Sequence, residues 1–397
     1  MIRISNLKVN IEHQVNDVLA EVAKYLNINI SDIKDYKIVK KSLDSRRKNR
    51  ISYFYSLDIQ VDNELKYLKL ANVDLVQNQP YIINNISYHK RPVIVGSGPC
   101  GLFAGLILAE SGLKPIILER GSSVHIRKRD VEEFWRTGIL NPESNIQFGA
   151  GGAGTFSDGK LTTNTKDKRK SKFIEELIEA GAPEEIAYMA KAHIGTDILV
   201  KVVDNFDQKI KSLGGEIIYN AKFIDFTTNN NQINEVIYQC GDQQFSLFSE
   251  HLVLATGHSA RDTFFLLNQK NIEMQAKAFS VGVRIEHLQS EVNQNQYGNL
   301  CTILPSAEYK GNIRTSKEKR GVYTFCMCPG GVVVAAASEL GGVVTNGMSY
   351  HARSELNANS ALLVNVEPSD FGGVDNPLAG VEFQRSLEAR AFKYGGG

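Results

Sequence analysis

Residues 1–90 contain no glycine at all, although the whole chain of 397 residues has 33. Whatever those ninety residues do, they do it without a glycine-rich loop, and the abrupt switch at Gly96 marks a domain boundary near Lys90-Arg91-Pro92. Cysteine is scarce, with five residues, too few for a disulfide scaffold. Their odd number points to free thiols in a reducing compartment. Net charge is nearly absent, Lys+Arg 45 against Asp+Glu 44, which excludes a global polycation or polyanion and leaves only local patches for charged partners. Long apolar runs are missing too. Leu102–Ala109 and Val332–Ala337 fall far short of the roughly 20 residues that span a bilayer, and Met1-Ile-Arg-Ile-Ser-Asn-Leu-Lys8 lacks the apolar run of a signal peptide. These absences predict a cytoplasmic protein with no membrane partner. With 42% hydrophobic and 22% charged residues the composition is that of ordinary folded chains, and the length suggests two or three domains.

Apolar periodicity supplies the elements. Ile2, Ile4, Leu7 and Val9 read as a strand, and Val15, Val18, Leu19, Val22, Ala23 and Leu26 recur at helical spacing. Strand-like runs at Lys37–Leu43 and Ile51–Val61 complete a small N-terminal βαββ domain over 1–90. Their connection is basic: residues 34–50 hold eight Lys and Arg against Asp35 and Asp44. The Lys40–Arg50 stretch is either a solvated hairpin tip or a surface for nucleic acid or another polyanion. From residue 91 the order becomes strand, glycine turn, helix, strand, a βαβ unit that implies a parallel sheet. Helices are expected near Val124–Arg136, Lys172–Ala180 and Val200–Leu213. Strands are expected at Glu216–Phe226, Glu235–Cys240 and His251–Ala255, with a hairpin turn at Asn229-Asn-Asn-Gln232. The domain boundaries read 1–90, 91–270 with a helical insert at about 165–195, and a mixed α+β region over 271–397.

Gly96-Ser97-Gly98-Pro99-Cys100-Gly101 is a GxGxxG preceded by the strand Val93-Ile-Val95 and followed by an uninterrupted helix. Gly96 permits the tight turn, Gly98 lets the backbone approach a pyrophosphate, and Gly101 lets the helix pack closely on the strand. The helix N-terminus offers N–H groups and a positive dipole end to phosphates. Glu119 closes the next strand, where a carboxylate accepts two ribose hydroxyls and disfavours a 2′-phosphate. These features predict a dinucleotide site.

A second glycine cluster, Gly149–Gly154 within Gln147–Leu161, follows no long strand and opens no helix. It reads as a main-chain loop folded against a ligand, or as a purely structural loop. His251-Leu-Val-Leu-Ala-Thr-Gly257 is a buried strand whose Thr256 and Gly257 fall at the edge where α/β sheets bind ligands.

Together these three segments resemble the FAD-binding flavoproteins of the glutathione-reductase-like FAD/NAD(P)-binding superfamily. The chain is closer still to a bacterial family of FAD-dependent dehydrogenases. That resemblance rests on Asn145-Ile-Gln-Phe-Gly-Ala-Gly-Gly-Ala-Gly-Thr-Phe-Ser-Asp-Gly-Lys160, His193-Ile-Gly-Thr-Asp197, Val283-Arg-Ile-Glu-His287, Tyr323-Thr-Phe-Cys-Met-Cys-Pro-Gly-Gly331 and Thr345-Asn-Gly-Met-Ser349. The resemblance implies an α/β fold. A Rossmann-like FAD-binding domain (parallel sheet in three ββα layers) would be joined to a mixed α+β substrate domain and the small βαββ domain. It implies FAD as cofactor, NAD(P)H as a transient electron donor and a small-molecule substrate placed between the flavin and residues 272–360. The cofactor contacts it implies are Gly96, Ser97, Gly98, Pro99, Cys100, Gly101, Glu119, Arg120, Arg129, Gly151, Gly152, Lys160, Phe223, Thr256 and Gly257. The family's late Gly-Asp or Ala-Gly-Glu strand-turn-helix is not found before Gly397, so a C-terminally truncated member is expected.

For acid–base chemistry the candidates are His193 and His287, both with polar neighbours; the other reading of each is a structural histidine. Cys326 and Cys328 are a candidate redox or substrate-contacting pair, or ordinary thiols in a strand. Arg127, like Arg129, is either a cation for the pyrophosphate or an exposed helix charge, and Arg284 either anchors an anionic substrate or pairs with Glu286. No metal site is expected. The leading reading is an FAD-dependent oxidoreductase. The alternatives are a polyanion-binding flavoprotein docked through its basic domain and a non-functional fragment.

Overall fold

The computed structural model describes residues 1–77, 80–163, 165, 167–315 and 319–396. The chain divides into two compact units. Residues 1–82, 160–194 and 290–307 form the first; residues 83–159, 195–289 and those from 308 onward form the second. The expected boundaries at 90 and 270 are therefore redrawn. Composition marks where the style of the sequence changes, but not where a later segment returns to an earlier one. Here Met189 bridges to Lys41, and Tyr297, Leu304 and Ala307 pack with Ile51 in a core cluster of the first unit.

In the first unit β1 (Ile2–Val9), α1 (Val15–Leu26), β2 (Asp35–Asp44), β3 (Ser52–Gln60) and β4 (Val73–Leu75) build an antiparallel sheet of order β2-β3-β1-β4 under one helix. This is the expected βαββ domain with one short strand added. Helix α1 buries Val18, Val22 and Leu26, one side of its 3.6-residue period, in the core that holds Ile2, Ile4, Leu57 and Ile59. It stops at Asn27, whose left-handed φ of 55° asparagine tolerates.

The second unit opens with β5 (Val93–Val95), α2 (Pro99–Glu110), β6 (Ile116–Leu118) and α3 (Val124–Thr137). After α4 (Arg169–Glu179), which belongs to the first unit, it resumes with α5 (Thr196–Ser212), β7 (Glu216–Ile218), β8 (Lys222–Asn229), β9 (Gln232–Cys240), β10 (Gln243–Phe248), β11 (Leu252–Leu254) and α6 (Arg261–Gln269). Four strands form a parallel sheet of order β11-β5-β6-β7. Alternation of side chains makes three layers from it. Val93, Val95, Ile116 and Leu118 pack on Phe223, Phe226, Val236 and Tyr238 of the antiparallel β8-β9-β10 meander. Between them, Ile94 and Ile117 face the opposite layer, reaching Gly101 and Gly105 of α2. The single strand expected over Glu216–Phe226 is two, because Asn220 turns the chain at φ 54° and sends β8 into the meander. The hairpin expected at Asn229 is present, with Asn230 and Asn231 at φ 51° and 61° as a primed turn requires.

The remaining chain forms β12 (Phe279–Leu288), α7 (Gln289–Tyr297), β13 (Asn312–Arg314), β14 (Gly321–Cys328), β15 (Gly331–Ala335), β16 (Thr345–Ser349), β17 (Asn357–Val366) and α8 (Ala379–Gly395). Strands β12-β17-β14-β13 make an antiparallel sheet, and the β15–β16 hairpin packs Val334, Ala336 and Met348 against Val131, Ile146 and Phe156. Among the described residues no helix is long and apolar enough to cross a membrane.

A Cβ at Gly101 would lie 1.8 Å from the carbonyl oxygen of Gly96, a backbone atom with no rotamer to escape into. Gly101→Ala should therefore lower unfolding free energy by roughly 1–3 kcal/mol, measured by urea denaturation. An unchanged midpoint would mean that helix and turn are not packed this closely.

Candidate functional site

The strand ends explain where a ligand can go. Val95, Leu118 and Leu254 finish β5, β6 and β11 at one edge of the parallel sheet, and strand order reverses between β5 and β11. Beyond that edge lies a cavity of about 610 Å³, a size suited to a substantial ligand. Its wall brings together Gly96, Gly98, Pro99 and Cys100 of the turn, Glu119 and Arg120 after β6, Gly152 and Gly154 of the second glycine loop, Phe223, and Thr256-Gly257 after β11. The turn and the β11 end are interlocked. Gly96 sits at φ 100°, and a Cβ there would lie 2.5 Å from the carbonyl oxygen of Ala255.

Five of the expected contacts, Ser97, Gly101, Gly151, Arg129 and Lys160, do not line this cavity. Ser97 is fully buried and hydrogen-bonds Glu119. Gly101 and Gly151 pack into neighbouring chain, and Arg129 is exposed on α3. Arg127, two residues earlier on the same helix, is neither exposed nor aimed at a phosphate. Its fully buried guanidinium donates to the carbonyls of Asn145 (2.9 Å), Ile146 (2.9 Å), Gly149 (3.3 Å) and Ala150 (2.5 Å). Burial pushes its pKa down to about 10, which still leaves a cation at neutral pH.

Glu119 also departs from expectation. Its Oε2 accepts the Ser97 N–H and hydroxyl, both at 2.8 Å, and its Oε1 accepts the N–H groups of Gly121 and Gly149, both at 2.9 Å. An ionised carboxylate has about four lone-pair positions, so this one is filled by the protein rather than held open for ribose hydroxyls. Arg120 lies 4.1 Å over the Phe148 ring and bridges Glu143 (2.7 Å) and Asp262 (2.9 Å). Lys222 reaches the same two carboxylates at 2.9 and 3.1 Å. Burial alone would raise the Glu143 and Asp262 pKa values, but these two cations together hold both below the ordinary range.

Sequence reasoning missed Gln147, Phe148, Lys222, His258, Ser259 and Phe264, which also line the cavity. The signal for His258 and Ser259 was available: they directly follow Ala-Thr-Gly at the ligand edge of the sheet. The His258 pKa is lowered from its ordinary value, first by desolvation and then by Arg261. Its side chain lines the cavity and is exposed there.

Among the expected chemical residues, His287, Cys326 and Cys328 do not line the cavity. His287 tilts against Tyr309 on β12, with ring centroids 5.3 Å apart, and its buried Nε2 lacks a hydrogen-bond partner. Cys326 occupies a bulge of β14 at φ 45°, and the buried Cys328 thiol donates to the Cys326 carbonyl. Neither forms a disulfide among the described residues. Arg284 donates to Asn359 (2.5 Å) and to the Cys326 carbonyl (3.3 Å). In the first unit Lys160 and His193 face each other in a β-bridge. There too, the basic hairpin tip is exposed, Arg46 folds back on Asp44, and Lys41 lies over Tyr53. Among the described residues no cluster of His, Cys, Asp and Glu could hold a metal.

Comparison with known proteins gives the chain its cofactor. A model described as FAD binding domain matches residues 91–144, and one described as FAD-dependent protein, C-terminal domain-like, matches residues 278–397. Residues 1–60 match a Domain of unknown function (DUF8436). A protein of Clostridium beijerinckii described as uncharacterized is 48% identical over 404 residues, taking in 100% of this chain and 75% of its own length. The chain belongs to a family of FAD-dependent proteins. Its cofactor is FAD. Looser structural likenesses include a flavin-dependent brominase, Bmp2 (14% identical, TM-score 0.38, 77% of this chain and 63% of that one). Another is the halogenase PltM in complex with phloroglucinol and FAD (13%, TM-score 0.35, 77% and 57%). The chain thus spans less than two thirds of these solved proteins.

Arg127→Met would strip the buried carbonyls of Asn145 and Ile146 of their donor and take one of two donors from Gly149 and Ala150, so this FAD-dependent protein should lose about 3 kcal/mol of stability by urea denaturation. Arg129→Met, on the exposed face of the same helix, should fall within about 0.5 kcal/mol of the parent. Equal effects would contradict the placement of the two side chains.

Proposed function

We propose that the chain is an FAD-dependent dehydrogenase that moves hydride or electrons between a small-molecule substrate and a non-covalently held flavin, with NAD(P)H as the transient donor. The observation that carries this reading is the meeting of the glycine turn, the Gly149–Gly154 loop and the Ala-Thr-Gly strand end on one cavity at the ligand edge of the parallel sheet. The N–H groups at the start of α2 suit the pyrophosphate. Gly152, Gly154, Thr256 and Gly257 leave main chain open to the rest of the cofactor. Hydride transfer at the flavin is chemistry that FAD supplies once bound. The protein's own part is to hold the loop and turn in register through Glu119, to keep the wall apolar at Phe148, Phe223, Phe264 and Leu267, and to set the local charge with Arg120 and Lys222. None of His287, Cys326 and Cys328 reaches this cavity, so the acid–base group on its wall is His258.

The purified, desalted chain should absorb near about 370 and 450 nm and release FAD on denaturation. Gly98→Val puts a branched side chain into the cavity, where a Cβ alone comes no closer than 3.8 Å to Gly152. It should therefore bind FAD at least tenfold more weakly with its unfolding midpoint unchanged. Anaerobic addition of NADH or NADPH should bleach the 450 nm band. A flavin that neither nucleotide reduces would remove the dehydrogenase reading and leave the binding site standing.

A further inference from the structure

His258, Ser259 and Gln147 form a chain of hydrogen bonds whose direction can be deduced. The Gln147 side-chain amide donates to the carbonyl of Ala336 at 3.0 Å, which fixes its nitrogen there and turns Oε1 toward Ser259. A carbonyl oxygen only accepts, so the Ser259 hydroxyl proton lies on the 3.3 Å contact to Gln147 Oε1. The same hydroxyl lies 2.9 Å from His258 Nδ1 and has no second proton to give. With the hydroxyl proton placed toward Gln147, Nδ1 is the donor. In a neutral imidazole a proton on Nδ1 leaves Nε2 as a bare acceptor.

The surroundings favour the neutral ring. Desolvation first and then the charge of Arg261 on α6 act against a second proton, while a hydrogen bond to the residue's own backbone and the charge of Glu388 on α8 pull the other way, and the lowering side prevails. Glu388 is itself engaged by Arg261, at 2.5 Å. The Gln147-Phe148 segment that completes the surroundings brings no ionisable side chain.

We propose that His258 presents a bare Nε2 to the cavity and accepts a hydrogen bond there from a hydroxyl or ring N–H of the bound cofactor, its phosphates being seated elsewhere. The proposal rests on FAD occupying this cavity. It also answers a question raised by Glu119, whose acceptor positions are filled from within: a donor on the cofactor needs another acceptor, and His258 supplies one. A phosphate oxygen opposite a bare Nε2 would set lone pair against lone pair, so the same geometry turns the pyrophosphate away. His258 is in this sense a positioning residue.

The sign of the pH dependence follows. Protonation puts a hydrogen on Nε2 and removes the acceptor, so FAD affinity should fall as pH drops through the His258 pKa. If a phosphate sat there instead, affinity would rise. Two measurements on the full chain decide. Nitrogen-15 spectra of the ligand-free protein at pH 7.5 should show His258 with its proton on Nδ1; a proton on Nε2 overturns the relay. FAD titrations by fluorescence quenching should show affinity falling roughly five- to tenfold from pH 7.5 to 5.0. His258→Asn, whose amide nitrogen still reaches Ser259 but which has no Nε2, should bind at pH 7.5 about as weakly as the parent at pH 5.0, with little further change. A flat or rising affinity in the parent overturns the proposal. If Gly98→Val binds FAD as tightly as the parent, the cofactor lies outside this cavity and both readings fall, whereas a pH-independent parent with a weakened Gly98→Val removes only the role of His258.

Discussion

Four hydrogen bonds to one carboxylate hold the ligand edge of this protein together. The Glu119 side chain grips the backbone and hydroxyl of Ser97, the backbone of Gly121 just beyond its own strand, and the backbone of Gly149 thirty residues on. Those segments would otherwise be separate loops carrying buried N–H groups with no partner. Each such orphan costs about 1–3 kcal/mol, and charge-assisted bonds are the stronger kind, so the carboxylate both satisfies the loops and sets their spacing. The cavity wall is in effect tied at one atom cluster.

Arg127 is the counterpart with the opposite sign. Where Glu119 collects donors, Arg127 collects acceptors: the carbonyls of residues 145, 146, 149 and 150 converge on it. The second glycine cluster can therefore run through the interior with no helical structure of its own beyond the short 3-10 turn Gly152–Phe156. Two charged side chains supply most of its partners there, and this is why a loop rich in glycine can be ordered enough to form a wall.

Much of the framework was legible in the sequence because it is locally encoded. The βαββ unit follows from apolar periodicity in Ile2–Leu26, and the glycine turn from a strand–turn–helix order within about twenty residues. The parallel sheet and the gathering of three motifs at its edge followed from topology rules that hold for any α/β sheet. What escaped was non-local. Nothing near Glu119 shows that the N–H of Gly149 will fill its last lone pair, and nothing near Arg127 shows that four later carbonyls will surround it. His193, His287, Cys326 and Cys328 carried the right atoms for chemistry, yet polar neighbours in sequence do not determine which side of a sheet a residue faces. His258 was passed over for the opposite reason, standing beside a motif that had already absorbed the attention given to that segment.

The pairing of β5 with β11 has a consequence for how the protein matures. The two strands lie about 160 residues apart in the chain, and the meander and Ala-Thr-Gly end come with the later one. At ribosomal speeds of about 5–20 residues per second, the glycine turn and the apolar edge of β5 wait on the order of ten to thirty seconds for their partner. Until Leu252–Leu254 emerges, Val93–Val95 has a bare edge and the cavity lacks a wall. A cavity walled partly by the end of β11 is complete only after that strand has left the ribosome, so its assembly is a late event in synthesis.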